Sequence, residues 1–591
     1  MEFLNTTCGR TRQRAALPKT LIIGAEELTE PQEIANKLNI HFATVGSNTV
    51  SSLQIDDEIK QELETAWSPQ SPPFVFSRAN TAEVLKALES TRANWGCGAG
   101  GIPSALIKRC AATLARPLTH IVNLSLGSGR FPSALKDTRI IPLFKNNGDR
   151  RHAKNYRPIS LVDYLSKVFE KIVLARLDKH LHSISFFSAC QFGFRRARST
   201  ELALAHLWQE IADTVEGNQL CLGVFLDVSA AFNCLRHSYF LQALDLLGCN
   251  EVVVRWFRSY LSGRRQSVMV GGIESEWQEV VIGTPQGSIL GPFMFLVLIN
   301  FILLKIAAGD FCRTVTYADD TSLLFRIRPQ VAQDDICAAL KRVEDVVKIF
   351  ERFRLVINAS KTNITLFRPP QRSVEIAPVR FCGERMPWTE SVKCLGLTLH
   401  ETLSWQVHLG TLSSKCYAVV AMLRRLRELG FPTSSLMFVY KTLLVPLLCY
   451  GLAVWGGTYR LTLRRAEVIQ NDAVRAIFCK RRTESVTEIM RTHELPKLSV
   501  LYSLHVALLA FKMSKGTIPK DIAFSITPVM RRTARRPTEF VMPIAVKESS
   551  RHALAYRLPA VWGSLPREIR SLSSAKKFTG EAKKFFLRLN R

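Results

Sequence analysis

No Cys-x-x-Cys pair occurs in the 591 residues, and the 14 cysteines, spread from Cys8 to Cys479, form no tight cluster with histidine. A zinc knuckle and a disulfide framework are therefore excluded as readings, and a reduced intracellular compartment is expected. Internal repeats and low-complexity tracts are missing, so domain boundaries must be read from turn punctuation. The opening MEFLNTTCGRTRQRAALPKT carries basic residues but no apolar stretch of signal length, so no export is implied. Acidic residues are scarce: 50 Asp and Glu stand against 79 Lys and Arg, a net charge of +29 and a pI near 9.8. That excess favours a polyanionic partner such as nucleic acid over an acidic-substrate enzyme of ordinary surface. One membrane-like run exists, Leu290 to Gly309, but it carries Asn300 and Lys305 and follows a Gly/Pro turn. A buried core helix is the expectation there, with no membrane partner.

What is present is a globular composition, 47% hydrophobic and 22% charged, in a chain long enough for several domains or one large multi-lobed enzyme. Punctuation falls at Ser68 to Pro73, Trp95 to Pro103 and Arg368 to Arg372. Between the last two, helical and strand signals mix, whereas Leu403 to Ser514 reads mainly as amphipathic helices, so the fold class is α+β. Ile336, Leu340, Val343, Val347, Phe350 and Phe353 recur at helical spacing and predict one buried stripe. Arg424, Arg425 and Arg427 lie on another predicted helix as candidates for sequence-independent backbone contact. From Ile526 to Arg591 there are 15 Lys and Arg against 4 Asp and Glu. Phe540, Tyr556, Trp562, Phe578, Phe585 and Phe586 are interleaved there, a mixture that suits phosphate contact with base stacking, or else a basic face on a packed subdomain.

Two segments carry the chemistry. GVFLDVSAAF (Gly223 to Phe232) is an apolar strand ending in Asp227; TVTYADDTSLLF (Thr314 to Phe325) has the pattern of a hairpin with Asp319 and Asp320 at its tip. Like charges at neighbouring strand ends need neutralising, and a hard divalent cation with oxygen ligands does so best. The sharp reading is a two-metal phosphoryl-transfer site; the bland one is a solvated turn. GTPQGSILGP (Gly283 to Pro292) places three glycines around Gln286 before the apolar helix, as where backbone approaches a ligand or template closely. Lys361 follows Asn358 in LVINASKTNITLF, either as surface decoration or as a donor to departing pyrophosphate.

In this order, the segments resemble the reverse transcriptases of non-LTR retrotransposons, LINE-class elements of the jockey-like kind. Arg139 to Leu177 is similar to that family's fingers, QFGFRRARST (Gln191 to Thr200) to its next block, and Cys394 to Leu399 to its primer-grip hairpin. EIANKLNIHFATVG near the start resembles the element's linker, while Tyr450 to Gly456 and Ile469 to Phe478 resemble the thumb and downstream helices. The family's amino-terminal endonuclease has no counterpart, so a truncated reading frame is the expectation, with any priming nick made by another protein.

The resemblance implies a right-hand polymerase with an amino-terminal linker region to 95, fingers at 96–205, a palm with an antiparallel sheet at 206–400, a helical thumb at 401–520 and a basic, mainly helical carboxy-terminal region at 521–591. It implies two Mg²⁺ ions, with Mn²⁺ as a substitute, held by Asp227, Asp319, Asp320 and the Val228 carbonyl. Phe232 matches the aromatic gate against a 2′-hydroxyl, Gln286 the residue lining the nascent base pair, Lys145 and Arg157 the cations that meet the triphosphate, and Lys361 the general acid. Implied partners are an RNA template, a DNA primer or RNA–DNA hybrid and deoxynucleoside triphosphates, in nucleus and cytoplasm. The sequence departs from the family where Asn233, Ala230 and Ala197 stand. A binding remnant without chemistry would retain the basic surface, and primer extension separates it from an enzyme.

Overall fold

The computed structural model describes residues 20–24, 26–51, 59–68, 73–90, 93, 95–145, 148–309, 312–372, 374, 376–457, 460–520, 522, 530–533, 536–540 and 553–589. Its helices include α1 (Pro31–Val50), α2 (Ala111–Ser128), α3 (Tyr164–Ser183), α4 (Thr200–Glu216), α5 (His237–Leu246), α6 (Glu251–Leu261), α7 (Leu290–Ala308), α8 (Ala332–Arg352), α9 (Gln406–Glu428), α10 (Arg460–Phe478), α11 (Leu498–Ser514), α12 (Leu554–Ser564) and α13 (Ala575–Leu589). Its main strands are β1 (Thr138–Phe144), β2 (Tyr156–Leu161), β3 (Leu220–Leu226), β4 (Arg265–Val270), β5 (Arg313–Tyr317), β6 (Asp320–Ile327), β7 (Asn363–Phe367), β8 (Ser391–Cys394) and β9 (Leu397–His400). The α+β class expected from the sequence is what forms.

A four-stranded antiparallel sheet in the order β7-β3-β6-β5 occupies the middle of the chain. Strand β3 is apolar at every position because both faces are covered. Leu220, Leu222, Val224 and Leu226 enter one core, while Cys221 and Phe225 enter another. The first core collects α2, α3, α5, α6, α7 and the stripe of α8, where Ile336, Leu340, Val343, Val347, Phe350 and Phe353 are all buried as their spacing predicts. The second joins α4, the β8–β9 hairpin and the helices from α9 onward. A second sheet runs β2-β1-β4 and continues to Ile273–Glu274, with β1 parallel to β4 and antiparallel to β2. Helix α1 packs Ile34, Ala35, Leu38 and Phe42 against Ile140, Tyr156, Val268 and Val270 of that sheet.

Helix α7 is long and apolar enough to cross a membrane, and it lies largely buried within the fold. Its polar groups are paired internally, as a core helix requires. Asn300 accepts from the Ser188 amide at 2.7 Å and donates to the Phe186 carbonyl at 2.7 Å, and Lys305 pairs with Glu62.

In the amino-terminal linker region Val50, Ile59, Leu63 and Ala79 sit in the first core and α1 covers the second sheet, because each carries enough apolar surface to be buried. Of the six carboxy-terminal aromatics, three are not free for base stacking, which favours the packed-subdomain alternative for them. Trp562, Phe578 and Phe586 are buried, with Phe511 and Phe578 stacked at 4.3 Å, so α12 and α13 are pinned onto α11. The basic run Arg531 to Arg536, whose charges suit a nuclear signal or a nucleic-acid contact equally, lies partly outside the described residues.

Ala197 adopts φ 59°, the left-handed region that favours glycine. Ala197→Gly is expected to stabilise the protein by about 0.5 to 1 kcal/mol, the relief of left-handed strain less the added freedom of the unfolded chain. Thermal unfolding of the two proteins side by side checks this, and an unchanged or lower midpoint contradicts it.

Candidate active site

The three acids meet where β3 and β6 end together. Leu226 pairs with Thr321, so Asp227 and Asp320 are the next residues on adjacent strands, and Asp320 closes the β5–β6 hairpin opposite Tyr317. Only Ala318 and Asp319 form the turn, with Ala318 at φ 57°. Gln191, fully buried, clamps this turn: its side-chain oxygen accepts from the Ala318 amide at 3.1 Å and the Gly193 amide at 2.7 Å. A Cβ on Gly193 would come within 2.3 Å of the Ala318 nitrogen, so only glycine lets the two segments touch. The Gln191 and Gly193 block was visible in the sequence; its clamping role was not.

Charge at these carboxyls is compensated only in part. Burial, and then the negative charge of Asp227, raise the Asp319 carboxyl, with Arg157 opposing them. Asp320 is exposed as a residue, yet the protein around its carboxyl, then Asp319 and Asp227, push it up to about 6. Asp227 faces the Lys361 ammonium at 3.5 Å. That lysine is placed by Asn358, whose amide donates to the Asp227 carbonyl at 2.8 Å and whose side chain accepts from the Lys361 amide at 3.3 Å. Val228 bridges Ile357 through its neighbours' groups, leaving its own carbonyl out of the pairing.

Among the described residues no group of three or more His, Cys, Asp or Glu side chains is gathered closely enough to hold a metal ion. The three acids thus share an edge without closing into a cage, as mutual repulsion dictates while Asp227 turns to a lysine. The donor set nonetheless fits a hard divalent cation: all ligands are oxygens, and the ammonium beside Asp227 shows that a positive charge is accommodated there.

Next to the acids opens a cleft of about 620 Å³, lined among others by Lys145, Arg157, Val228, Phe232, Gln286 and Asp319. Six of the nine residues singled out from the sequence are therefore its walls. Burial, and then the charges of Arg157 and Lys361, lower the Lys145 ammonium. Lys145, Lys154 and Arg157 line the cleft together, a concentration of positive charge that suits an anion. Phe232 packs its ring 4.8 Å from Phe295 and 6.2 Å from Phe194. Gln286 is engaged on both sides: its side-chain amide donates to Asn233 at 2.6 Å, and its carbonyl accepts from the Ser160 amide at 2.8 Å. The departure at Asn233 is thus the residue that holds Gln286.

Glu170 escaped the sequence reading altogether. Buried in α3, it accepts from the Ile289 and Leu290 amides at 2.5 and 3.2 Å and from Ser166 at 2.8 Å. It thereby caps α7 and fixes the loop that carries Gln286. Burial raises its carboxyl despite these donors. A lone acid within the apolar run of α3 was the only signal available.

Residues 144–399 match the family described as reverse transcriptase (RNA-dependent DNA polymerase). Over 460 residues the chain is 26% identical to the probable RNA-directed DNA polymerase from transposon BS of Drosophila melanogaster, covering 77% of this chain and 50% of that protein. Over 396 residues it is 28% identical to the RNA-directed DNA polymerase from mobile element jockey of the same species, covering 64% and 42%. A retrovirus-related Pol polyprotein from type-1 retrotransposable element R1 of Bradysia coprophila is 26% identical over 460 residues, covering 77% and 44%. The chain spans about half the length of these curated relatives, or less. The resemblance to reverse transcriptases of non-LTR retrotransposons, carried by the ordered sequence blocks, is borne out.

Proposed function

We propose that this chain, similar along most of its length to the reverse transcriptases of non-LTR retrotransposons, is an RNA-directed DNA polymerase that adds deoxynucleotides to a primer 3′-hydroxyl on an RNA template. The observation that carries this reading is that three acids gather where β3 meets the β5–β6 turn, and that one of them, Asp319, lines a single cleft together with Lys145, Arg157, Phe232 and Gln286. In right-hand terms the residues from 96 to 205 are assigned to the fingers, 206 to 400 to the palm, 401 to 520 to the thumb and 521 to 591 to a basic carboxy-terminal region, with 1 to 95 before them.

Asp227 and Asp319, with Asp320 beside them and the Val228 carbonyl, would hold two Mg²⁺ ions, or Mn²⁺ in their place. Bound there, such ions lower the pKa of the primer hydroxyl and neutralise charge on the leaving pyrophosphate. The chain's own groups do the rest. Lys145 and Arg157 bind the triphosphate through charge-assisted hydrogen bonds, which are the strong ones. Gln286, held by Asn233 and Ser160, supports the nascent base pair, and the Phe232 ring fills the space a 2′-hydroxyl would need. Lys361, on the flank of Asp227, is placed to give a proton to the departing pyrophosphate. The net charge of +29 supplies sequence-independent attraction for hybrid and template. The reading implies action where transcripts and deoxynucleotides are found, in nucleus and cytoplasm.

Primer extension on an RNA template with Mg²⁺ tests it, offering deoxynucleotides or ribonucleotides. Extension with deoxynucleotides only is expected. A folded protein that binds RNA in a salt-sensitive manner yet never extends a primer would point to a binding remnant instead.

A further inference from the structure

One wall of the cleft comes from outside the residues that match the reverse transcriptase family. Helix α1 contributes His41, Phe42 and Val45 to it. The helix is held there by specific contacts: the buried Asn39 amide donates to the Gln266 carbonyl at 3.0 Å and the Glu276 carbonyl at 2.7 Å, and the Gln266 side chain donates back to Asn39 at 3.0 Å. One turn past His41 the backbone rests directly on the segment after Phe232. A Cβ added to Gly46 would lie 2.0 Å from the Asn233 carbonyl oxygen. Its position is therefore tied to the same asparagine that holds Gln286.

We infer that His41 is a substrate-binding residue, donating a hydrogen bond to the triphosphate of the incoming nucleotide alongside Lys145, from a helix that the matched domain does not contain. This rests on the reading of the cleft as the nucleotide site. The charged and titratable groups lining the cleft with His41 are Lys145, Lys154, Tyr156 and Arg157 from the β1–β2 region and Asp319 from the β5–β6 turn; Phe232 and Gln286 beyond them are uncharged. Burial and the Lys145 charge hold the imidazole below its ordinary pKa, so it is neutral in the empty cleft and carries one N–H donor. A triphosphate brings the opposite charge, which strengthens that donor and relieves the repulsion by Lys145 at the same time. A histidine that served only to pack would have no reason to sit on the cleft-facing side beside Lys145 while Leu38, Phe42 and Gly46 make the apolar and backbone contacts of the helix.

The test uses the full chain bound to an RNA template whose DNA primer ends in a dideoxynucleotide, so that the next nucleotide binds without chemistry. With adenine as the templating base and Mg²⁺ present, the Kd for dTTP is measured for the wild type, His41→Ala, His41→Gln and Gly46→Ala. The alanine variant is expected to bind dTTP about tenfold more weakly, the worth of one hydrogen bond to a charged group, with unchanged affinity for the primed RNA and an unchanged melting temperature. Glutamine, which keeps a donor, is expected to recover part of the loss. Gly46→Ala, which forces α1 off Asn233, is expected to lower the melting temperature as well as dTTP affinity. Equal dTTP affinity in His41→Ala and wild type overturns the inference. So does a loss that comes only with a drop in melting temperature like that of Gly46→Ala. Wild type that holds the primed RNA but admits no dTTP overturns the reading of the cleft itself, and this inference with it.

Discussion

Asp319→Asn is expected to slow primer extension by on the order of a thousandfold, the scale on which removing a charge-stabilising group from a preorganised site acts. The substitution keeps the size of the side chain at the tip of the β5–β6 turn, and Gln191 still holds that turn through backbone groups. Affinity for primed RNA, which draws on the basic surface, is expected to stay within about twofold because phosphate contacts carry it. Extension at the wild-type rate would remove Asp319 from the chemistry. Stability adds a second readout. The Asp320 carboxyl titrates at about 6 in the folded protein, above its ordinary 3.8. A raised carboxyl contributes stability that is fully present below its unfolded pKa and is lost as pH rises through the folded one. Between pH 4 and 6.5 the cation-free wild type should therefore lose melting temperature relative to Asp320→Asn, which has no such charge. At pH 7.5, where the acids are ionised, Mg²⁺ should raise the melting temperature of the wild type more than that of either asparagine variant. An equal rise in all three would show that these carboxylates do not bind the ion.

Replacing Phe232 by Val is expected to lower the preference for deoxynucleotides over ribonucleotides by about a hundredfold, in the range that one small steric change in a pocket commands. The ring borders the cleft while resting against Phe295 and Phe194, so its position is held from behind. Single-nucleotide incorporation of dTTP and UTP opposite adenine measures the ratio directly. If Phe232 merely packs, the melting temperature falls and the ratio stays where it was. A core role and a gating role thus give different results from the same variant.

Much of this site was legible before the fold. Asp227, Asp319 and Asp320 stand out because each lies at the end of a short apolar run, and period-two and turn signals are local properties of the chain. The stripe of α8 and the core nature of α7 follow from helical spacing and from the cost of leaving Asn300 and Lys305 in lipid. The aromatics near the carboxy-terminus stayed ambiguous for the same reason. Composition counts Trp562 and Phe578 as rings beside cations, and only the packing of α12 and α13 on α11 shows which side of the helices they occupy.

What the sequence by itself determined is the chemistry available: a basic α+β chain with acids at a strand end and at a hairpin tip, an aromatic five residues beyond the first, and a glycine-rich loop ahead of a buried helix. What only the tertiary structure decided is which distant residues complete the site. Gln191 clamping the turn of Asp319, Glu170 capping α7, Asn233 holding Gln286 and His41 entering from α1 all join positions more than fifty residues apart. Hydrogen bonds and close approaches of that kind depend on how whole elements dock. No local periodicity encodes docking, which follows from burying the faces of the helices and sheets together.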